Sequence, residues 1–302
     1  MVSAMPRNPY LEGVFAPVIE ETTAVDLTVV GELPPELMGM YVQNAPNPRY
    51  EPQGLYHWFD GDGMVHSVEL RDGKATYRNR YVRTRAFEAE GQAGRALSSG
   101  IMMPFDPANS EVADKDTANT DLIWHGGRLL ALWWLGGQPY GLSVPDLVTE
   151  GPVDFGGTLT SGIAAHPKVD PVTGELIFFD FSLYAPPYMR YGVASADGRV
   201  THETVIDLPG PSLLHDIAIT EQYTVFMDFP MTWDMAKLAE GKRRVRFHAD
   251  RPSRFGLLKR HAPGAEVRWF EVPACYSYHT INAWEQTNAK GEAEVVLLAC
   301  RI

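Results

Sequence analysis

Three of the nine histidines in this sequence lie in segments where their imidazoles could bind a metal ion together. His166 follows a run of small residues at a predicted strand end, His215 heads an apolar strand, and His279 lies in an aromatic-rich strand. Neutral imidazole is a good ligand for iron, zinc and copper. Each histidine taken alone is more typical of a hydrogen-bonded core residue than of a ligand. As a set they suggest a metal centre, around which carboxylates should bond the outer ring nitrogens.

The spacing of these histidines requires several elements to bring them together. They are 49 and 64 residues apart, too far for a local motif on one helix. The separations fit one ligand from each of several sheets whose inner strands converge. Short strands between turn dipeptides predict such sheets, and residues 122–134 form the clearest hairpin, with Gly126 and Gly127 in the turn. Periodicity predicts a mostly-β protein and leaves sandwich, barrel and propeller open, with one short helix expected over 234–241.

Composition and net charge limit the classes of binding partner and the cellular compartment that we expect for this protein. The 302 residues are 45% hydrophobic and 21% charged, which is typical of a globular protein, and we expect a single domain over 1–302. A net charge of −12 argues against nucleic acid and against anionic membrane surfaces, although an apolar patch could still make a peripheral membrane contact. Two cysteines and the lack of a signal-like or membrane-spanning apolar run favour a reducing, cytoplasmic location.

Six segments, in order along the chain, resemble the signature segments of the carotenoid cleavage oxygenase family. Three of them surround the histidines described above, one carries two Asp-Gly pairs, one carries the predicted hairpin, and one is rich in asparagine and proline. The segments are YVQNAPNPRY (41–50), WFDGDGMVH (58–66), ANTDLIWHGGRLLALWW (118–134), AAHPKVDPVTGEL (164–176), LLHDIAIT (213–220) and YHTINAWE (278–285).

The resemblance implies a fold, a cofactor and a reaction. Family members are seven-bladed β-propellers with a helical, apolar cap over iron(II) on the propeller axis. Four histidines hold the iron, and by matching position His166, His215 and His279 would be three of them. Such enzymes use O2 to split an alkene into two aldehyde or ketone products. His66 lies inside a signature but is not a ligand in the family, so we expect a structural role for it.

This sequence departs from the family pattern in two ways. The fourth iron histidine and two outer-shell glutamates are absent, and family chains are longer, so we expect a propeller truncated at its C-terminus. Trp134 stands where many relatives have a further glutamate, so one hydrogen bond to a ligand is missing or comes from another residue. These departures keep open an alternative of another class, a non-catalytic propeller that binds an apolar ligand.

Four residues are candidates for the substrate tunnel, namely Phe59, Ile101, Trp133 and Trp134, although Phe59 is equally well explained as a core residue. Substrate preference is predicted from two of them, Ile101 and Trp133. Hydroxystilbene-cleaving relatives have a tyrosine and a lysine where this chain has Ile101 and Trp133, and those side chains bind the phenol hydroxyl. Neither residue here is expected to exchange a proton with a phenol. We therefore expect an apolar polyene, a carotenoid or apocarotenoid, as the substrate, with a stilbenoid as the alternative.

Overall fold

The computed structural model describes residues 8–103, 115–234, 236–237, 240 and 245–302. The described chain is built almost entirely of antiparallel strands, which confirms the all-β prediction. Half of the predicted helix over 234–241 lies outside the described residues, and of the described half Ala236 and Lys237 are helical. The strands are β1 Thr23–Ala24, β2 Gly39–Pro46, β3 Gly63–Arg71, β4 Lys74–Tyr81, β5 Asp121–His125, β6 Arg128–Leu132, β7 Tyr140–Leu142, β8 Thr149–Pro152, β9 Lys168–Val169, β10 Leu176–Phe181, β11 Met189–Ala194, β12 Val200–Ile206, β13 Ile217–Ile219, β14 Tyr223–Asp228, β15 Met231–Trp233, β16 Val245–Phe247, β17 Ser253–Lys259, β18 Arg268–Val272, β19 Thr280–Thr287 and β20 Ala293–Ala299.

Most of these strands form four-stranded sheets that follow one another along the chain. Their orders are β1-β4-β3-β2, β5-β6-β7-β8, β12-β11-β10-β9 and β13-β14-β17-β18. The pairs β15-β16 and β19-β20 form two-stranded sheets. The predicted hairpin over 122–134 is confirmed as β5 and β6, and both turn glycines, Gly126 and Gly127, have positive φ as a two-residue turn requires.

Helical structure is confined to short elements. The α-helix Arg85–Ala93 (α1) begins after Thr84, whose hydroxyl accepts a hydrogen bond from the amide of Phe87, and it stops at Gly94 in the left-handed conformation. Single 3-10 turns occur at Pro9–Leu11, Gly13–Phe15, Trp58–Asp60 and Gly264–Glu266. No helix among the described residues has the length and apolar character needed to cross a bilayer.

At three junctions between successive sheets, an edge strand of one sheet faces an edge strand of the next. Strand β2 contacts β5, β9 contacts β13, and β13 contacts β19. The largest apolar core lies between the second, third and fourth sheets and includes Trp133, Tyr191, Leu214 and Phe226. This packing fixes where the successive inner edge strands begin, and the three histidines lie at that position.

Candidate metal centre

Each of the three predicted ligands lies just before an inner edge strand. His166 is two residues before β9, His215 two before β13, and His279 one before β19. Because these strands are neighbours and start at the same end, the three side chains meet. The spacing of 49 and 64 residues is therefore the chain length needed to complete one sheet and begin the next.

The imidazoles form a nearly equilateral triangle. Their ring centroids are 4.9 Å apart between His166 and His215, 4.7 Å between His166 and His279, and 4.9 Å between His215 and His279. One ring nitrogen from each histidine lies within 4.8 Å of the others. Tyr278 packs edge-on against His215 at 5.3 Å and supports the ring. The arrangement is the one expected for three ligands on one face of a metal ion.

The electrostatics of the triangle also fit a metal ion. Burial lowers the pKa of His166, although the carboxylates of Asp121 and Asp216 act in the opposite direction. Burial, together with the other two imidazoles, lowers the pKa of His215 to about 3. Both rings are therefore neutral at neutral pH and keep a lone pair for a metal. The Nε2 atom of His166 is buried without a hydrogen-bond partner, which a metal ion at the centre of the triangle would provide.

Asp121, the first residue of β5, holds the backbone of His166. His166 adopts a left-handed φ of +69°, which is unusual for a residue other than glycine. Its backbone N–H donates to Oδ2 of Asp121 at 2.9 Å, and the same oxygen lies 3.6 Å from the imidazole Nδ1. Asp121 is thus a carboxylate beside a ligand, of the kind expected around the site, and it comes from the signature segment that has tryptophan instead of glutamate at position 134.

A second carboxylate, Asp216, connects all three ligand segments. Its oxygens accept hydrogen bonds from the backbone and hydroxyl of Thr280 and from the Lys168 ammonium. Burial alone would raise the pKa of Asp216, but the ion pair with Lys168 and the bonds from Thr280 hold that pKa below its usual value. Asp216 is visible in the sequence only as the neighbour of His215, and its contacts across the sheets could not be read from it.

His66, which is predicted to be structural, and His125 have other partners. His66 shares a hydrogen bond of 2.8 Å with the hydroxyl of Tyr77 on the adjacent strand β4. His125 lies 3.2 Å from the carbonyl oxygen of Gly174. Neither belongs to the cluster of potential metal ligands found among the described residues.

The predicted tunnel residues lie near one another. Phe59, Ile101 and Trp133 line the same pocket, and the ring of Trp134 packs against Phe59 at 5.1 Å. The indole N–H of Trp133 is buried without a hydrogen-bond partner. An indole N–H is a hydrogen-bond donor, so Trp133 has one polar group that no other residue of the described chain binds.

Comparison of the sequence with known proteins assigns the chain to a family. The sequence model of the retinal pigment epithelial membrane protein family matches residues 15–302. The chain belongs to that family, the carotenoid cleavage oxygenases. A carotenoid 9,10(9',10')-cleavage dioxygenase of Arabidopsis thaliana is 41% identical over 97% of this chain and 57% of its own length. A carotenoid cleavage oxygenase of Mycobacterium tuberculosis is 36% identical over 98% of this chain and 65% of its own length.

Solved structures of the family superpose on the described fold. A lignostilbene dioxygenase of Pseudomonas brassicacearum matches with a TM-score of 0.84 and 33% identity, over 93% of this chain and 60% of its own. Cobalt-substituted Synechocystis apocarotenoid oxygenase matches with a TM-score of 0.77 and 30% identity, over 89% of this chain and 60% of its own. The chain therefore spans about three fifths of the length of these relatives.

Proposed function

We propose that the full-length protein is an iron(II) dioxygenase that cleaves a carbon–carbon double bond of a carotenoid or apocarotenoid with O2. The proposal depends above all on the triangle of His166, His215 and His279, whose donor atoms lie within 4.8 Å of one another in segments that match the family. Iron(II) is the proposed metal, and residues 1–302 would form part of a single seven-bladed propeller covered by a helical cap. Two free cysteines are compatible with a reducing, cytoplasmic setting.

In this reaction one alkene and one O2 give two carbonyl products, so atoms and electrons balance without an external reductant. When bound, iron(II) would supply the redox chemistry that lets O2 react with the double bond. The residues of this chain would bind the metal and orient the substrate. The three imidazoles would hold the metal, while Phe59, Ile101 and Trp133, which line one pocket together with Asp60, Glu90 and Lys115, would offer apolar contacts to a polyene. Excluding water from that pocket would protect reactive species formed during cleavage.

A stilbenoid substrate is the second candidate, and two observations favour it. The buried indole N–H of Trp133 is a free donor beside the pocket, and a substrate oxygen would satisfy it. The Pseudomonas brassicacearum relative is a lignostilbene dioxygenase, and an isoeugenol monooxygenase of Pseudomonas nitroreducens is 35% identical over 92% of this chain. The apolar side chain of Ile101 argues for the polyene.

The test uses full-length protein purified without oxygen. Its iron content is measured, and it is then exposed to O2 with apocarotenals and, separately, with hydroxystilbenes, while products are identified by mass spectrometry. We expect aldehyde products, faster from apocarotenals. A His215→Ala variant should lose iron, whereas a His66→Ala variant, which loses only its bond to Tyr77, should keep it.

Three outcomes would change this assignment. Faster turnover of hydroxystilbenes would reverse the substrate order. Correct iron loading without product from any polyene or stilbene would refute the dioxygenase, and would favour a non-catalytic propeller if an apolar ligand were still bound. Unchanged iron in His215→Ala would remove His215 from the ligand set.

A further inference from the structure

The loops that carry the three histidines need a constraint that the strands do not supply. His166, His215 and His279 all precede their strands, so the ladder hydrogen bonds of those strands do not fix the backbone at these residues. The ring contacts among three neutral imidazoles are weak and do not by themselves fix where the loops lie. Something between these loops must therefore keep the triangle in shape.

Asp216 occupies that place and is itself 4% exposed. Its Oδ2 accepts two hydrogen bonds of 2.8 Å from Thr280, one from the backbone N–H and one from the hydroxyl. Its Oδ1 accepts from the amide of Ile217 at 2.8 Å and from the ammonium of Lys168. The same ammonium donates to the carbonyl oxygen of His166 at 3.0 Å.

Each partner adjoins a ligand. Asp216 follows His215, Thr280 follows His279, and Lys168 binds the carbonyl of His166. Hydrogen bonds to an ionised acceptor are shorter and stronger than those between neutral groups. One carboxylate thus connects three strand starts that are remote in sequence, and all of its bonds go to neighbours of the histidines.

We propose that Asp216 is the positioning residue of the histidine triangle, holding the three ligand loops through Thr280 and Lys168 at the geometry that a metal ion requires. The inference rests on the proposed metal site. In the pair His215-Asp216, the imidazole would bind the metal and the carboxylate would bind the other two ligand loops.

The experiment measures cobalt(II) binding to full-length protein, using chelator competition for the dissociation constant and visible absorption for the coordination geometry. Asp216→Asn keeps the side-chain shape but turns one acceptor oxygen into a donor. We expect cobalt affinity to fall by about 10- to 100-fold, as for other residues that support ligands, and the absorption bands to change. A purely structural aspartate would lower stability and leave the cobalt spectrum of the folded protein unchanged.

Asp62 provides the matched control. It is also buried and also paired with a lysine, Lys115, at 2.9 Å, but it precedes β3 in the first sheet. Asp62→Asn should therefore destabilise the fold without altering the cobalt spectrum or affinity. Lys168→Met should weaken cobalt binding, and the combined loss with Asp216→Asn should be smaller than the sum of the two single losses, because the two residues share one ion pair.

Thr280→Val keeps the proposal testable if Asp216→Asn does not fold. It removes the hydroxyl donor and retains the backbone bond and the β-branched shape, so cobalt affinity should fall by about 5-fold, the equivalent of one hydrogen bond. Wild-type affinity and spectrum in folded Asp216→Asn, or in Thr280→Val, would overturn the role of Asp216 alone. Absence of cobalt binding by the wild-type protein would overturn the metal site and this inference together.

Discussion

Replacing Asp121 by alanine tests whether a carboxylate holds a ligand in an unfavourable backbone conformation. A non-glycine residue in the left-handed region costs on the order of 1–3 kcal/mol, so His166 at φ +69° needs compensation. The 2.9 Å bond from its N–H to Asp121 is charge-assisted and contributes roughly 1.5–3 kcal/mol. Without that bond the loop can relax away from the ligand conformation. At about 1.4 kcal/mol per factor of ten, cobalt affinity should fall by about 10- to 100-fold.

The assay is cobalt titration of wild-type protein, Asp121→Ala and Asp121→Asn. Asparagine keeps an oxygen acceptor for the amide of His166, so its loss of affinity should be smaller than that of alanine. Asp197→Ala, at an exposed turn remote from the histidines, is the control for a lost surface charge. Equal cobalt affinity in Asp121→Ala and the wild type would refute the reasoning, since it would mean that His166 keeps its conformation without the carboxylate.

Three further predictions concern stability and substrate binding. Burial raises the pKa of Asp116 to about 7. Folding stability should therefore fall as pH rises from about 4 to about 7, because the folded protein keeps this proton to a higher pH than the unfolded chain does. The urea midpoint of Asp116→Asn should lack this fall with pH, and parallel midpoint curves for the variant and the wild type would contradict the prediction. A Cβ at Gly162 would lie 2.6 Å from the amide nitrogen of Gly137, so Gly162→Ala should cost about 1–3 kcal/mol and lower Tm; an unchanged Tm would show that this backbone contact relaxes freely. Trp133→Phe removes the unpartnered indole N–H, so kcat/KM for apocarotenals should change by less than the roughly 5-fold value of one hydrogen bond, and a larger loss would show that the indole binds a substrate oxygen.

The sequence was sufficient to predict the strand content and to select the three histidines that the fold brings together, but not the contacts that support them. Periodicity identified β5 and β6 because their turn glycines are local signals. The meeting of His166, His215 and His279 followed from the family segments, since spacing alone left several architectures open. Asp121 and Asp216 could not be assigned, because their partners lie 45 to 64 residues away and depend on how neighbouring sheets pack.

Two carboxylates lie beside the histidines although position 134 is tryptophan. Asp121 is the first residue of β5, the inner strand of the second sheet. In the next two sheets, His166 and His215 lie just before the corresponding inner strands, β9 and β13. A carboxylate at the start of β5 offsets part of a metal's positive charge and reaches the backbone of His166, whereas Asp216 is largely neutralised by Lys168. The two carboxylates therefore have different roles: Asp121 contributes net negative charge, and Asp216 contributes hydrogen bonds between the loops. Loss of Asp121 should weaken metal binding more at low salt than at high salt, while the effect of losing Asp216 should depend little on salt, because buried pairs are poorly screened.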